Sequence, residues 1–195
     1  MICALIRIKV RHKNLIDPKE PYVIISNHTS QLDIVACAIS NPGVFKFLAK
    51  VDLLKIPFFG YAIKKMYITV KRESKEDRAR SLEKMAASLD DGISVHIFVE
   101  GSRNRTSEPL KSFYDGAFKL AIESGMPLAV LTIVGSSERN SPGRFPMLSP
   151  GTITCHWDEP INTQGMTLND VSKLKARCRE LMMGHIAPNR ESVPA

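Results

Sequence analysis

Pro21-Tyr22-Val23-Ile24-Ile25-Ser26-Asn27-His28, continued by Thr29-Ser30-Gln31-Leu32-Asp33, decides how the chain is read. Tyr22 to Ile25 is short, apolar and rich in β-branched residues, and a proline precedes it, the marks of a buried strand. From Ile34 to Ile39 the chain continues as a helix until Asn41-Pro42-Gly43 stops it. His28 therefore falls in a strand-to-helix turn, with Asp33 about one helical turn further on. From inside the helix the Asp33 carboxylate can reach back to one imidazole nitrogen and leave the other free. A histidine held in this way is a general base for a hydroxyl.

Towards the N-terminus, Ile6, Ile8 and Val10 alternate with Arg7, Lys9 and Arg11, the period of a strand with one basic face. Two readings stay open for that face, a solvated sheet edge and a contact with lipid headgroups. Towards the C-terminus, Val44 to Lys50 and Met66 to Val70 read as strands, the second followed by Lys71-Arg72. Between them Pro57, Phe58, Phe59 and Gly60 make a loop and short helix. Ser74 and Asp77 open a helix with Leu82, Met85, Ala86 and Leu89 at helical spacing, which Gly92 closes. Ile93 to Val99 is a buried strand, Gly116 to Ser124 a helix closed by Gly125, and Leu128 to Val134 and Thr152 to Trp157 two further strands. Thr167 and Asp170 cap a last helix with Leu168, Val171, Leu174, Cys178 and Leu181 facing inward, and the chain is loose from 186 to 195.

This alternation predicts an α/β fold, a single domain over 1–195 with a mostly parallel or mixed central sheet of about six to seven strands and helices on both faces. The 195 residues, 44% hydrophobic and 24% charged, suffice for a substantial core. Cys3, Cys37, Cys155 and Cys178 lack metal-site or disulfide spacing and read as reduced thiols of a cytoplasmic protein. A net charge of +7 calls for an anionic partner, whether nucleic acid, phospholipid surface or phosphorylated substrate. No apolar run reaches membrane-spanning length and Met1 to Arg7 is no signal peptide, so membrane contact is expected to be peripheral. His96 and His156 fall inside strands as core or edge residues. Neither HExxH, a P-loop nor GxSxG occurs, which argues against a zinc protease, a P-loop NTPase and a serine hydrolase with a nucleophile elbow.

Phe98-Val99-Glu100-Gly101-Ser102-Arg103-Asn104-Arg105 is the second informative stretch. Gly101 allows an unusual turn and close approach of the backbone to a ligand. Arg103 can fork onto phosphate oxygens in a way lysine cannot. A loop in which Glu100 merely pairs with an arginine accounts for the same residues equally well.

Together the two stretches resemble the glycerophospholipid acyltransferase family, the PlsC-like superfamily that includes lysophosphatidic acid acyltransferases. Asn27, His28 and Asp33 match its first signature. Ala49-Lys50, Pro57, Gly60 and the basic close at Arg72 match a second block, Phe98 to Arg105 a third, and Gly125-Met126-Pro127-Leu128 a fourth. Val99, Ser102 and Asn104 stand where proline, threonine and serine are usual, and Val130 where a second proline often occurs.

The resemblance places a motif core at about 21–135, followed by a C-terminal strand and capping helix at about 150–185. It implies an O-acyltransferase that needs no cofactor. His28 takes the proton of a hydroxyl on a lysophospholipid or glycerol phosphate, most simply 1-acylglycerol-3-phosphate, and Asp33 steadies the imidazolium. The alkoxide attacks the thioester of acyl-CoA or acyl-carrier protein without an acyl-enzyme. Arg103 holds the acceptor phosphate, Glu100, Gly101 and Ser102 complete that substrate-binding site, Lys50 stabilises developing charge, and Arg72 adds to the anionic-ligand surface. The implied location is the cytoplasmic face of a membrane, attached peripherally to an anionic surface. The same fold can serve a transacylase or another acceptor. Against a basic nucleic-acid-binding module, no recognised motif and no stripe of interleaved aromatics appears.

Overall fold

A computed structural model describes residues 6–50, 67–70, 75–140 and 148–190. Its strands are β1 (Ile6–Arg11), β2 (Val23–Ser26), β3 (Phe45–Lys50), β4 (Tyr67–Val70), β5 (Ser94–Phe98), β6 (Leu128–Val134) and β7 (Gly151–Trp157). They make one seven-stranded sheet in the order β1-β7-β6-β2-β5-β3-β4. Strands β6, β2, β5, β3 and β4 run parallel, β7 is antiparallel to β6, and β1 lies parallel to β7 at the edge. The helices are α1 (Leu32–Ser40), α2 (Lys75–Asp90), α3 (Gly116–Ser124), α4 (Ser136–Arg139) and α5 (Val171–Arg190). None of those described is long and apolar enough to cross a membrane.

The mixed α/β sheet with helices on both faces is as the sequence predicts. On one face Ala36 and Cys37 of α1 share a core with Ile24, Leu131, Ile153 and Trp157. On the other, Met85 and Leu89 of α2, Phe118 of α3 and Cys178 of α5 share a core with Val23, Ile25, Val95 and Val130. Because β2 is covered on both sides, its apolar residues run unbroken instead of alternating. The α1 helix ends where Asn41 turns extended (φ −69°, ψ 129°), since Pro42 clashes with a helical predecessor.

From β2 the chain passes through α1 across one face to β3; from β5 it passes through α3 across the other face to β6. The carboxyl ends of the neighbouring strands β2 and β5 therefore border the point where the winding reverses. Open α/β sheets carry their ligands in such crevices.

Two details differ from expectation. The last helix continues past His185 to Arg190, because Cys178, Met182 and Ile186, four apart, keep one apolar stripe on the core. Leu168 does not face inward but is 51% exposed, because it lies in a separate 3-10 turn (Leu168–Asp170) ahead of the helix. Pro57, Phe58, Phe59, Gly60, Arg72 and Ser74 lie outside the described residues.

Candidate active site

Strand β2 delivers His28 into the crevice two residues after its end, and α1 brings Asp33 back beneath it. The Asp33 side chain is wholly buried, and its Oδ2 accepts the backbone N–H groups of Thr29 at 2.7 Å and Ser30 at 2.8 Å. Those two donors fix Oδ2 as an acceptor, so His28 Nδ1, 2.8 Å away, must donate to it. The tautomer is thereby set with its lone pair on Nε2, which has no hydrogen bond among the described residues. Phe98 at the end of β5 stacks on the imidazole, centroids 4.0 Å apart and planes 16° from parallel. Asp33 and Phe98 leave the ring little freedom.

The backbone of His28 is held as firmly as its ring. Its N–H donates to Glu100 Oε1 at 3.0 Å, and its carbonyl accepts the N–H of Asn104 at 2.6 Å. The buried Asn27 amide closes a two-bond clamp on Ile133 of β6, donating to its carbonyl and accepting from its N–H, both at 2.8 Å. One turn is thus tied to segments 72 and 106 residues away.

The third signature divides into inward and outward parts. Glu100, expected among the substrate-binding residues, is completely buried, and its second oxygen accepts the N–H of Lys111 at 2.9 Å. Both oxygens are used by backbone, so the carboxylate braces the His28 turn. Among the described residues it pairs with no arginine side chain. Gly101 has a left-handed φ of +69°, and a Cβ there would lie 2.6 Å from the Tyr114 ring. Ser102 is exposed and accepts from Lys111 Nζ at 2.6 Å. Arg103 is half-buried, with no hydrogen bond or ion pair among the described residues, and its neighbour Asn104 is bonded to His28. Arg103 is thus a cation without a protein partner among those residues, on the loop whose Asn104 is bonded to the His28 backbone. Lys50 ends β3, its backbone in register with Val70; Arg72 is not described.

Behind this loop opens a cleft of about 590 Å³ lined by Glu100, Lys111, Phe113, Tyr114 and Arg179. The Arg179 guanidinium donates to the carbonyls of Lys111 and Leu110, which fixes the loop's return. His96 lies under the site, fully buried, with Nε2 2.8 Å from Ser26 Oγ; burial, then the charge of His28, pushes its pKa down to about 3. It stays neutral as a core residue. Asn27 and Asn104 fall within the two signatures, but their clamping bonds, and that of Lys111, are not legible in the sequence. The one available signal was the amide of Asn27 at the end of an apolar strand, where an unpaired side chain would be costly.

A model of the family described as Acyltransferase matches residues 7–134. The chain belongs to the acyltransferase family. The 1-acyl-sn-glycerol-3-phosphate acyltransferase of Haemophilus influenzae is 30% identical over 197 residues, covering 97% of this chain and 79% of that protein. The human 1-acyl-sn-glycerol-3-phosphate acyltransferase alpha is 32% identical over 184 residues, covering 91% of this chain and 63% of the human one. The chain spans about three-fifths of the length of several acyltransferases it matches. The crystal structure of the 1-acyl-sn-glycerophosphate acyltransferase PlsC from Thermotoga maritima superposes with a TM-score of 0.80 at 20% identity, covering 97% of this chain and 74% of that one. At that identity the likeness is one of fold.

Proposed function

We propose that this acyltransferase moves a fatty acyl group from acyl-CoA or acyl-carrier protein to the free hydroxyl of a lysophospholipid, 1-acylglycerol-3-phosphate, and so makes phosphatidic acid. The observation that carries the proposal is the His28–Asp33 pair, with its tautomer fixed and Nε2 without a hydrogen bond among the described residues; Arg103, on the loop bonded to the His28 backbone, supplies the cation in this reading. The names of the relatives support the choice of acceptor.

In this mechanism Arg103 binds the acceptor phosphate as a fork. Nε2 of His28 accepts the hydroxyl proton while the oxygen attacks the thioester carbonyl, and Asp33 stabilises the imidazolium through Nδ1–H. The tetrahedral intermediate collapses, the C–S bond breaks, and Nε2 returns the proton to the leaving thiolate. An ester and a free thiol result, and no acyl group rests on the protein. Gly101 and Ser102 shape the loop beneath the phosphate. Glu100 keeps its place in this reading as a positioning residue. Lys50 and Arg72 extend the field that favours anions. The enzyme works at the cytoplasmic face of a membrane, held peripherally on an anionic surface.

The purified chain, given radiolabelled acyl-CoA or acyl-carrier protein with 1-acylglycerol-3-phosphate, is expected to form labelled phosphatidic acid. His28→Ala, shown folded by circular dichroism, is expected to lose about 10²–10⁴-fold of that rate. Activity near that of the unaltered protein would remove His28 from the mechanism.

A further inference from the structure

The first sixteen residues contain Arg7, Lys9, Arg11 and Lys13 and no acidic residue, more than half of the chain's net charge of +7. In β1 the first three of these are exposed, while Ile6, Ile8 and Val10 pack on the α1 side of the sheet. Arg7, Lys9 and Arg11 therefore stand in a row on the opposite face, about 7 Å apart. Among the described residues none of them has a hydrogen bond or an ion pair. Their register partners on β7 are Thr152, Thr154 and His156, whose side chains share that face and are polar. Helix α5 meets it through His185, stacked on His156 at a centroid distance of 4.5 Å.

The sheet register fixes where this row sits relative to the chemistry. Ser26 is level with Leu131, so His28, two residues on, is level with Ile133. Ile133 pairs with Cys155, and Cys155 with Val10. Because β1 runs opposite to β2, Lys9 and Arg7 lie beyond the level of His28, in the direction in which β2 points into the crevice. Arg7 is about 10 Å past that level and about 14 Å to the side, three strand spacings away. The basic row thus rises along the rim of the catalytic end. The chain enters β1 at that same end, and the residues leading into Ile6 are Met1, Ile2, Cys3, Ala4 and Leu5, all apolar.

We propose that the β1 face of Arg7, Lys9 and Arg11 docks this protein on an anionic phospholipid surface, so that the catalytic end faces the bilayer in which its acceptor resides. The proposal rests on the lysophospholipid reading given above. A row of exposed cations, without partners among the described residues and set along the rim of the end where a lipid acceptor would enter, suits anionic headgroups. Each basic side chain at such a surface raises partition about fivefold.

The test is co-sedimentation of the full chain with vesicles of phosphatidylcholine alone or with 30% phosphatidylserine. The full chain is expected to bind the mixed vesicles, to leave the neutral ones, and to be released by 0.5 M salt. The triple variant Arg7→Gln, Lys9→Gln, Arg11→Gln is expected to partition roughly 100-fold more weakly. It should turn over a short-chain monomeric acceptor unchanged and a vesicle-borne acceptor poorly. Lys9→Gln alone, expected to bind about fivefold more weakly, keeps the test readable should the triple variant fail to fold. A matched set on the helices, Arg80→Gln, Lys84→Gln and Lys119→Gln, is expected to bind vesicles normally.

Equal weakening by both triple sets would overturn the proposal in favour of net charge. Undiminished vesicle binding by the β1 variant, or a loss only with acyl-carrier protein as donor, would also overturn it. Vesicle binding is read without any acyl transfer, so a failure of the proposed reaction shows up separately.

Discussion

Replacing Glu100 by glutamine keeps the size and shape of the side chain and removes one acceptor. In the native protein both carboxylate oxygens are occupied, by the N–H of His28 at 3.0 Å and that of Lys111 at 2.9 Å, with no solvent access. The substituted amide can satisfy one N–H and must present its own NH₂ to the other. One charge-assisted hydrogen bond is lost and a buried donor is left facing a donor, together costing about 2–4 kcal/mol. Against a typical stability of about 5–15 kcal/mol the variant stays folded. For a chain of 195 residues this corresponds to a melting midpoint about 4–16 °C lower. Slackening the His28 turn misplaces Nε2 without touching Arg103. In steady-state assays with varied acceptor, kcat is therefore expected to fall about 10- to 100-fold while the acceptor KM changes little. A tenfold rise in acceptor KM with an unchanged melting point would refute the reasoning, because it would mean that the carboxylate touches substrate.

Asp33→Asn is expected to lower kcat by about 10²–10⁴-fold, since the amide oxygen can take the place of Oδ2 as acceptor for Thr29, Ser30 and His28 but brings no charge to stabilise the imidazolium; transfer assays on the folded variant check this. Gly101→Ala adds a Cβ at positive φ, costing about 1–2 kcal/mol, and drives it into Tyr114; a melting curve should show partial recovery in the double variant with Tyr114→Ala, which removes the clash but not the strain. His96 has its folded pKa lowered from 6.5 to about 3, so between those values the unfolded chain binds the extra proton. The stability it contributes is full above pH 6.5 and is lost as the pH falls towards 3. Denaturant titrations of His96→Gln should show a shallower acid slope over that window, and an identical slope would contradict the assignment.

The elements that could be read from sequence are those whose pattern is local. The apolar run into His28, the five-residue step to Asp33 and the stop at Pro42 each announce themselves within a few positions, and the structure places them accordingly. The reversed direction of β7, and β1 beside it, depend on pairings far apart in the chain, which periodicity does not encode. Glu100 shows the same limit within the site. Its type announces a charge but not which way it points, and the two backbone donors that draw it inward belong to residues 72 and 11 positions away. Leu168 reads as part of the apolar stripe until a 3-10 turn takes it off the helix axis.

The Asn27 clamp on Ile133 bears on how the protein comes off the ribosome. His28 and Asp33 are both made within about the first sixth of the chain, yet the turn between them is secured by a partner 106 residues later. A nascent chain paused before β6 carries the proposed catalytic pair without the scaffold that aims it. On the proposed mechanism acyl transfer is a late-maturing property, and its onset during synthesis or refolding should report the arrival of β6 in the sheet.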